Sequence, residues 1–478
     1  MRAQVTWLEA GERRLIYEEA LGILERRGMR FGPCRALDRL AAAGALVDRE
    51  AGVARLPGEL VERALALCPH EVLLAGATPD DDCLLDGSIH FAPSGTPTHT
   101  LDFETGAYRS STVEDLRRST IVCDAMDAVD IMWATVTGGD CPEGQRTLSD
   151  CVTMLRNTRK HVQHEIVRPE EVAPMVRVAE IVSGSLAEFR RRPRISIVCC
   201  TSSPLHVDGA FLDICIEAAA CGMPVLVYPM PIAGANAPIT VAGTVVMNVA
   251  EFLGAATAIQ VVQPGTPLIM GAGASLLDMK ATTFSFGALE GGQMCAACAE
   301  VAHHELGVPV LAPGLATDAK YAGIQAGFEK AMKGLVIASA GADIITGGIG
   351  LLNGANTMSL PQIVIDAEIA TMIRRVLGEV EVSHESAMAE AIERIGFDGT
   401  FLGEKETRRR VRAGEHFLPT IATRLSFEQW RERGGSESET AVARVRRLLD
   451  EADARGPLLD PAQDRELESV VAGMAARA

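Results

Sequence analysis

Short apolar runs recur along this chain at intervals of about 35 residues, which is the repeat length of strand–helix units. They cover residues 131–136, 162–167, 195–200, 224–228, 267–270, 308–311 and 343–346. Stretches with helical periodicity lie between them, including 169–183, 240–260 and 324–339. Runs that are apolar on both faces are typical of buried parallel strands. We therefore predict an α/β protein whose main domain is a (β/α)8 TIM barrel.

Seven strand–helix units are clear in the sequence, and a closed barrel requires an eighth strand. We predict this strand at residues 378–382, because a helical stretch over 361–377 precedes them. An open doubly wound sheet is the competing architecture. We favour the barrel because the units are nearly regular and no GxGxxG motif follows the first strand.

The sequence pattern differs from this strand–helix repeat in the N-terminal and C-terminal parts of the chain. Residues 1–110 combine three helical patterns with short runs broken by Gly, Asp and Pro, which indicates an N-terminal α+β extension. The barrel domain is predicted over 111–403. Residues 404–478 are charged and helical, and we expect this C-terminal helical segment to pack on the barrel or across a subunit interface of a homo-oligomer.

Composition argues against several classes of partner. The formal charge of −18 disfavours nucleic acid, and the chain has no uninterrupted apolar run of the ~18 residues that a membrane span needs. The N-terminal residues carry no long apolar core, so we expect no signal peptide and a cytoplasmic protein. Cys295 and Cys298 form a CxxC near His303 and His304, but no second pair completes four ligands, and we predict no tightly bound metal.

Catalytic side chains of a TIM barrel lie where its strands end at the carboxyl side. Glu165 lies in the carboxyl-terminal half of the second run, and Asp318 and Lys320 follow the sixth, so we predict catalytic roles for these three residues. Each has a structural alternative: Glu165 could form a core pair with His164, Asp318 could cap a helix, and Lys320 could simply be solvated. For residues 201–203, a helix cap is the favoured interpretation.

Five longer segments of the chain resemble the trimethylamine methyltransferase family, especially its members that lack pyrrolysine and act on quaternary amines such as glycine betaine. They are GMPVLVYPMPIAGANAPITVAG (222–243), QPGTPLIMGAGASLLDMKATTFSFGALE (263–290), TDAKYAGIQAGFEK (317–330), GADIITGGIG (341–350) and QIVIDAEIATMIRRVL (362–377). The resemblance implies a TIM barrel that passes a methyl group from an amine to the cobalt of a corrinoid. The corrinoid (cobalamin) would be carried by a separate corrinoid protein.

One position departs from the trimethylamine enzymes. The family's pyrrolysine stands just before a motif that corresponds here to residues 317–320, so Leu315 or Ala316 occupies its place. Its absence argues against trimethylamine and suggests a pocket opened for a bulkier cation. A quaternary amine fits on chemical grounds, because its leaving group is a neutral tertiary amine that needs no general acid and no zinc.

An N-methyl cation has no N–H to donate, so aromatic faces and carboxylates must hold it. We therefore predict substrate contacts from aromatic, acidic and neighbouring strand-end side chains: Phe91, His164, Tyr228, Asp278, Ala316, Tyr321 and Gln325. The resemblance adds His99, on a loop over the barrel, and Asn353, after the seventh strand. Ordinary packing is the alternative for Phe91 and Tyr228.

Two other functions stay open at this point. Lys320 could form a Schiff base in a lyase or aldolase, since a lysine at the end of a barrel strand can be activated by burial. Alternatively, the chain could bind methylated ammonium compounds without turning them over.

Overall fold

The computed structural model describes residues 4–475 of the chain. Its largest sheet has eight parallel strands, which we number in chain order: β1 (His90–Phe91), β2 (Ile131–Trp133), β3 (His161–His164), β4 (Ile195–Cys200), β5 (Val225–Tyr228), β6 (Leu268–Gly271), β7 (Val310–Ala312) and β8 (Ile344–Ile345). Each strand pairs with the next one along the chain from β2 to β8, and β8 pairs with β1. This order confirms the TIM barrel.

Hydrogen bonds bridge the remaining gap in the ring, between β1 and β2. The N–H of Asp130 donates to the carbonyl of Phe91 (2.8 Å), and the N–H of Phe91 donates to Oδ2 of Asp130 (2.6 Å). Above them, the N–H of Thr96 donates to the carbonyl of Ala134 (3.2 Å). The ring is therefore closed on all sides.

A helix follows every barrel strand, as the repeat predicts. The eight helices are α1 (Val113–Asp124), α2 (Glu143–Asn157), α3 (Pro169–Ser183), α4 (Gly209–Ala220), α5 (Val241–Val262), α6 (Leu289–Val301), α7 (Ile324–Ser339) and α8 (Leu360–Leu377). Local signals set several of their ends. For example, α1 begins after Thr112, whose side chain accepts from the N–H of Asp115, and α3 ends at Gly184 with φ +79°.

The predicted position of the eighth strand, 378–382, is wrong. These residues leave the barrel after α8, and Val380 and Val382 are 75% and 86% exposed. The missing strand is β1, which lies within the range 1–110 assigned to the N-terminal extension; the division into three parts stays a prediction. Strand β1 has two residues, too few to show a period of two, and its register comes from pairing with β8. Consequently Asp318 follows the seventh strand and Asn353 the eighth.

The N-terminal residues cover one side of the barrel. They form helices Ala10–Arg26, Arg35–Ala42 and Gly58–Leu65, the short 3-10 helix Pro79–Asp81, a sheet of Met29–Arg30, Leu46–Asp48 and Val53–Arg55, and a hairpin of Val72–Leu74 and Cys83–Leu85. The three α-helices pack on α5. Among the described residues, α5 is the single helix long and apolar enough to cross a membrane, and most of its most apolar stretch is buried inside the protein. Its apolar character is that of a core helix.

Loops at the carboxyl ends of the strands carry two small sheets. One joins His99–Leu101, Tyr108–Ser110, Leu351–Leu352 and Thr357–Met358, and the other joins Ile232–Ala233, Ser275–Asp278 and Thr283–Ser285. These sheets link the loops after β1 and β8 and those after β5 and β6. They form walls around the mouth of the barrel.

The chain continues after α8 with helices on the outside of the barrel. They are His384–Ala387, Ala389–Ile395, Phe401–Gly403 (3-10), Lys405–Arg412, Phe427–Arg433, Glu437–Arg455 and Pro461–Ala475. Earlier in the chain, the short π-helix Ala302–Leu306 directly follows α6. The helix Glu437–Arg455 packs on α1 and α8, and Pro461–Ala475 packs on α2 and α3. The residues between α8 and Glu437 are largely exposed.

Candidate active site

A cavity of about 740 Å³ opens at the carboxyl end of the barrel. Its lining comes from residues 94–96 after β1, from the ends of β2 and β5, from Glu165 after β3, and from the loops after β4, β5, β6 and β8. Met230 and Phe284 lie on its rim, and each is 41% exposed. The cavity is therefore open to solvent at the mouth, where the active sites of TIM barrels lie.

Two aromatic pairs form much of the cavity wall. The ring centroids of Trp133, at the end of β2, and Tyr228, at the end of β5, are 6.2 Å apart with planes tilted by 60°. Phe284 and Phe286, from the loop after β6, have centroids 5.4 Å apart. Because β2 and β6 are four strands apart in a ring of eight, Trp133 approaches the cavity from the side opposite the two phenylalanines, whereas Tyr228 is on β5, the neighbour of β6. Such a wall suits a ligand with an organic cation.

Gly271 makes the position of Tyr228 possible. A Cβ atom at residue 271 would lie 2.1 Å from Cδ2 of Tyr228, so no side chain other than hydrogen fits there. Burial raises the pKa of the Tyr228 hydroxyl far above its ordinary value, which keeps the phenol neutral. The ring therefore offers a neutral aromatic face.

Glu165 brings a carboxylate to this wall. Nε1 of Trp133 donates to Oε1 of Glu165 (3.2 Å), and Nδ1 of His164 lies 3.5 Å from Oε2. Nε2 of His164 contacts the carbonyl of Thr147 (2.8 Å), and the ring is buried behind the cavity. Burial, together with the charge of Glu165, raises the pKa of the Cys200 thiol, so this lining residue stays neutral. The carboxylate of Glu165 therefore faces the cavity, whereas His164 does not line it, and its Nδ1 makes no hydrogen bond to that carboxylate. The predicted substrate contact of His164 stays a prediction.

Buried Glu251, on α5, holds the loop after β4. Its Oε2 accepts from the hydroxyls of Thr201 (2.5 Å) and Ser203 (3.0 Å), and its Oε1 accepts from the N–H of Leu205 (2.9 Å). Burial raises the pKa of this carboxyl, although the donors lower it in part. The expected helix cap at 201–203 is wrong, since Asp208 caps α4 instead. The loop is shaped by a buried acid on another element, which a local sequence pattern does not reveal.

Asp318 lies beneath the loop that carries the two phenylalanines. Its carboxylate accepts from the hydroxyl of Ser285 (2.6 Å) and from the N–H groups of Phe286 (2.9 Å) and Gly287 (3.2 Å). It does not line the cavity and does not cap α7, whose N-cap residue is Gly323. Lys320 is exposed, and its Nζ donates to the carbonyl of Asp318 (2.7 Å). The carboxylate of Asp318 therefore holds residues 285–287, and the predicted catalytic roles of Asp318 and Lys320 stay predictions.

Three predicted substrate contacts near the barrel lie outside the lining of this cavity. Phe91 is fully buried, with the guanidinium of Arg374 5.0 Å from its ring centroid. The ring of His99 stacks on Tyr108 at 4.7 Å. Asp278 is exposed and accepts from two N–H groups of its own turn. Their predicted roles in binding remain predictions.

The predicted contacts after β7 and β8 also lie outside the lining. Ala316 is buried, Tyr321 is 69% exposed, and Gln325 donates to Glu329 (2.8 Å). Asn353 adopts φ +56°, and its N–H donates to the carbonyl of Ala319 (2.7 Å). A Cβ at residue 348 would lie 1.7 Å from the carbonyl oxygen of Leu315. The loop after β8 therefore packs directly on the position where the resemblance suggested an open pocket.

Of the predicted site residues, the cavity brings together Glu165 and Tyr228. The aromatic residues Trp133, Phe284 and Phe286 were missed. A signal existed, since the chain has only three tryptophans and one of them lies within a predicted strand region. The FSF sequence at 284–286 also lies within a segment that resembles the family.

No group of three His, Cys, Asp or Glu side chains that could hold a metal ion occurs in residues 4–475. Cys295 and Cys298 are buried in α6, and Sγ of Cys295 donates to the carbonyl of Ala272 (2.9 Å). Burial raises the pKa of the Cys295 thiol to about 11. The expectation that no metal is tightly bound stays a prediction.

Comparison with known proteins gives consistent matches over the whole chain. A family model described as trimethylamine methyltransferase (MTTB) matches residues 2–477. Trimethylamine methyltransferase MttB of Desulfitobacterium hafniense (strain DSM 10664 / DCB-2) is 30% identical over 423 residues, covering 88% of this chain and 84% of the relative. Glycine betaine methyltransferase of Desulfitobacterium hafniense (strain Y51) is 27% identical over 461 residues, covering 96% and 94%. Among solved structures, the monomethylamine methyltransferase MtmB of Methanosarcina barkeri aligns with a TM-score of 0.49 at 12% identity, covering 92% and 94%.

Proposed function

The chain belongs to the trimethylamine methyltransferase family and is a methyltransferase; from this premise we propose that it transfers a methyl group from a quaternary ammonium compound to the cobalt of a corrinoid on a partner protein. The observation that carries the proposal is the cavity itself. It combines four aromatic side chains with the carboxylate of Glu165 at the mouth of the barrel.

A quaternary ammonium ion is recognised by aromatic faces and negative charge, because it offers no N–H group for a hydrogen bond. Each aromatic face contributes about 0.5–2 kcal/mol, more where water is excluded. Trp133 and Tyr228 offer two such faces at the strand ends, and Phe286 offers a third from the loop after β6. Glu165 balances the positive charge of the ligand. The bond from Trp133 Nε1 fixes that carboxylate beside the aromatic faces (3.2 Å).

The reaction places few chemical demands on the protein. The corrinoid of the partner supplies a cobalt(I) nucleophile, which donates two electrons to form the carbon–cobalt bond. The carbon–nitrogen bond breaks, and its electron pair stays on nitrogen, so a neutral tertiary amine leaves without a proton. We therefore assign Glu165 to cation binding and not to acid catalysis. The aromatic residues hold the cation and orient one methyl group toward the mouth.

The mouth of the barrel suits the approach of a partner protein. Large apolar side chains on the loops after β5, β6 and β7 and on the first turns of α7 are exposed: Ile239 (63%), Met279 (57%), Tyr321 (69%), Ile324 (88%) and Phe328 (57%). Exposed apolar patches of this kind mark interaction sites. We propose that the corrinoid protein docks over these residues, so that its corrin faces the rim formed by Met230 and Phe284.

The structure gives no support to a Schiff-base mechanism at Lys320. This side chain is exposed and outside the cavity, whereas activation of a lysine needs burial or a neighbouring charge. Lys333 is buried, but its Nζ donates to the carbonyl of Phe286 (2.7 Å) and lies 4.9 Å from that ring. It supports the aromatic wall from behind.

We further propose that the protein acts in the cytoplasm as a homo-oligomer. All twelve cysteines are free, which is typical of a reducing compartment. A reduced corrinoid partner also requires such a compartment. The exposed helices between α8 and Glu437 offer a surface for a second copy.

The direct test incubates the purified protein with cob(I)alamin, or with a reduced corrinoid protein, and a panel of quaternary ammonium compounds. We expect a methylated corrinoid, followed by its absorption spectrum, and release of the tertiary amine. K320A is the matched control and should retain the activity. The absence of methyl transfer across the panel would contradict the proposal, and tight binding without turnover would identify a binding protein instead.

A further inference from the structure

The charge of the cavity lining restricts which charge the rest of the substrate, outside its ammonium group, can carry. Among the described residues that line the cavity, Glu165 is the single acidic side chain, and no lysine, arginine or histidine is among them. Burial keeps the two other titratable lining residues neutral, since it raises the pKa of the Cys200 thiol and of the Tyr228 hydroxyl. The remaining lining side chains are aromatic, aliphatic, hydroxyl or amide groups. The cavity therefore holds one negative charge and no positive one.

Two arginines near the loop after β4 line a different cavity. Arg27 and Arg30, together with His206, line a separate cavity of about 560 Å³, which shares Ser202 and Ser203 with the main one. Neither arginine lines the cavity that holds the aromatic side chains. Nζ of Lys333 donates to the carbonyl of Phe286, behind the ring that faces the cavity.

A betaine would bring a carboxylate into this environment together with its ammonium group. The carboxylate would lose water without gaining a cationic partner, and it would face the like charge of Glu165. A monocation with a neutral remainder instead forms a balanced pair with Glu165. Neutral groups are available to bond a hydroxyl, such as the hydroxyl of Ser202 and the amide of Asn236, whose Oδ1 is held by the N–H of Ile232 (2.6 Å).

We propose that the substrate is a quaternary ammonium monocation with a neutral, hydroxyl-bearing remainder, of the choline type, and not a betaine. This inference rests on the proposed function, because it names the substrate of the same site. It sets the chain apart in specificity from the relative named glycine betaine methyltransferase, with which it shares 27% identity.

Binding to the purified protein tests the inference without any corrinoid. Isothermal titration calorimetry would compare choline, glycine betaine and 3,3-dimethylbutan-1-ol, which has the shape of choline and no charge. We expect choline to bind at least about tenfold more tightly than either of the others, a difference of about 1.4 kcal/mol. E165Q should weaken the binding of choline by a similar factor and leave the affinity for the neutral alcohol nearly unchanged. M230K places a cation on the rim of the cavity, so it should weaken the binding of choline and strengthen the binding of glycine betaine.

The outcomes separate this inference from the proposed function. Glycine betaine binding as tightly as choline, or more tightly, would overturn the inference, while methyl transfer from glycine betaine to cob(I)alamin would still support the proposed function. Preferential binding of choline without methyl transfer would support the ligand preference and contradict the proposed function. Binding of none of the three compounds would overturn the inference. Thermal unfolding of E165Q and M230K would show that both variants are folded.

Discussion

Trp133 gives the cavity both an aromatic face and the N–H that holds Glu165 (3.2 Å). Two substitutions separate these contributions. W133F keeps a face but loses the donor, and W133L loses both. We expect W133L to weaken a quaternary ammonium ligand by about 1–2 kcal/mol, or about 5- to 30-fold in Kd, and W133F to weaken it less. Calorimetric titration measures both values. Equal affinities of W133L and the unmodified protein would show that the indole does not contact the cation.

Gly271 offers a second test at the level of one residue. G271A places a methyl group against the Tyr228 ring and must displace it, because the Cβ would lie 2.1 Å from a ring carbon. Overpacking of this kind costs about 1–3 kcal/mol of stability. We expect weaker ligand binding together with a lower melting temperature. G327A is the control, since a Cβ there meets no atom within 4 Å. Unchanged binding in G271A would mean that the position of Tyr228 does not matter.

Some residues of the predicted site could be identified from the sequence around them, and others depend on contacts with distant parts of the chain. Glu165 and Tyr228 could be predicted because each lies near the carboxyl end of a strand that an apolar run indicates, which is the catalytic side of a barrel. The segment around Phe286 resembles the family, but its pattern does not place the ring in the cavity, because the position of Phe286 depends on Asp318, which is 32 residues away in the sequence. Ala316 was predicted from the family's motif alone. Its burial reflects the close approach of the loop after β8, and no pattern around residue 316 encodes that contact.

At the level of elements, Asp318 connects the loop after β7 to the loop after β6. D318A removes the acceptor for three donors at residues 285–287 and should let the loop with Phe284 and Phe286 move. We expect a higher Kd for the ligand and a smaller change in the rate of methyl transfer at saturation. D318N keeps one carbonyl oxygen and should lie between D318A and the unmodified protein. Loss of turnover with unchanged Kd in D318A would instead indicate a direct chemical role.

Helices α7 and α8 are joined by a buried ion pair. Nζ of Lys330 lies 2.6 Å from Oδ2 of Asp366, both side chains are fully buried, and Lys330 also donates to the carbonyl of Gly348. Burial lowers the pKa of Lys330 and raises that of Asp366, while each charge favours the ionised form of the other. Removing one partner leaves an uncompensated buried charge, so D366A should lower the free energy of unfolding by about 3–5 kcal/mol.

The double variant K330M/D366L is the matched comparison for this ion pair. It removes both charges and should recover most of the stability lost in D366A. Chemical denaturation followed by circular dichroism measures the difference between the variants. A double variant no more stable than D366A would show that the ion pair itself, and not the unpaired charge, dominates the energy.

The same contrast between local and distant information explains which elements could be predicted. Strand β4 is six residues long and apolar, so its sequence alone identifies it. Strand β1 has two residues, one of them His90, and exists because β8 and the side chain of Asp130 supply its partners. Its helix α1 begins 22 residues later, after the two strands that wall the mouth. The predicted position of the eighth strand was wrong for this reason.

At the level of the whole molecule, the segment 379–434 carries an unusual amount of exposed apolar surface. Phe397, Leu402 and Val382 are at least 82% exposed, and Phe427 is 66% exposed. The segment has nine basic and eleven acidic residues, so it is nearly neutral within a chain of charge −18. Two copies can therefore meet there without the repulsion that the rest of the surface would cause. This surface supports the proposed homo-oligomer.

Charged residues placed in this surface should separate the copies. We expect the unmodified protein to be at least a dimer in size-exclusion chromatography with light scattering, and F397E/L402E to be smaller. L46E, at a 66% exposed leucine of the N-terminal sheet, is the control and should not change the mass. Because the cavity lies at the mouth of the barrel and the segment follows α8, the smaller species should still bind its ligand with unchanged Kd. A monomeric unmodified protein would contradict the proposed oligomer, and loss of binding in the folded smaller species would show that a second copy helps to form the site.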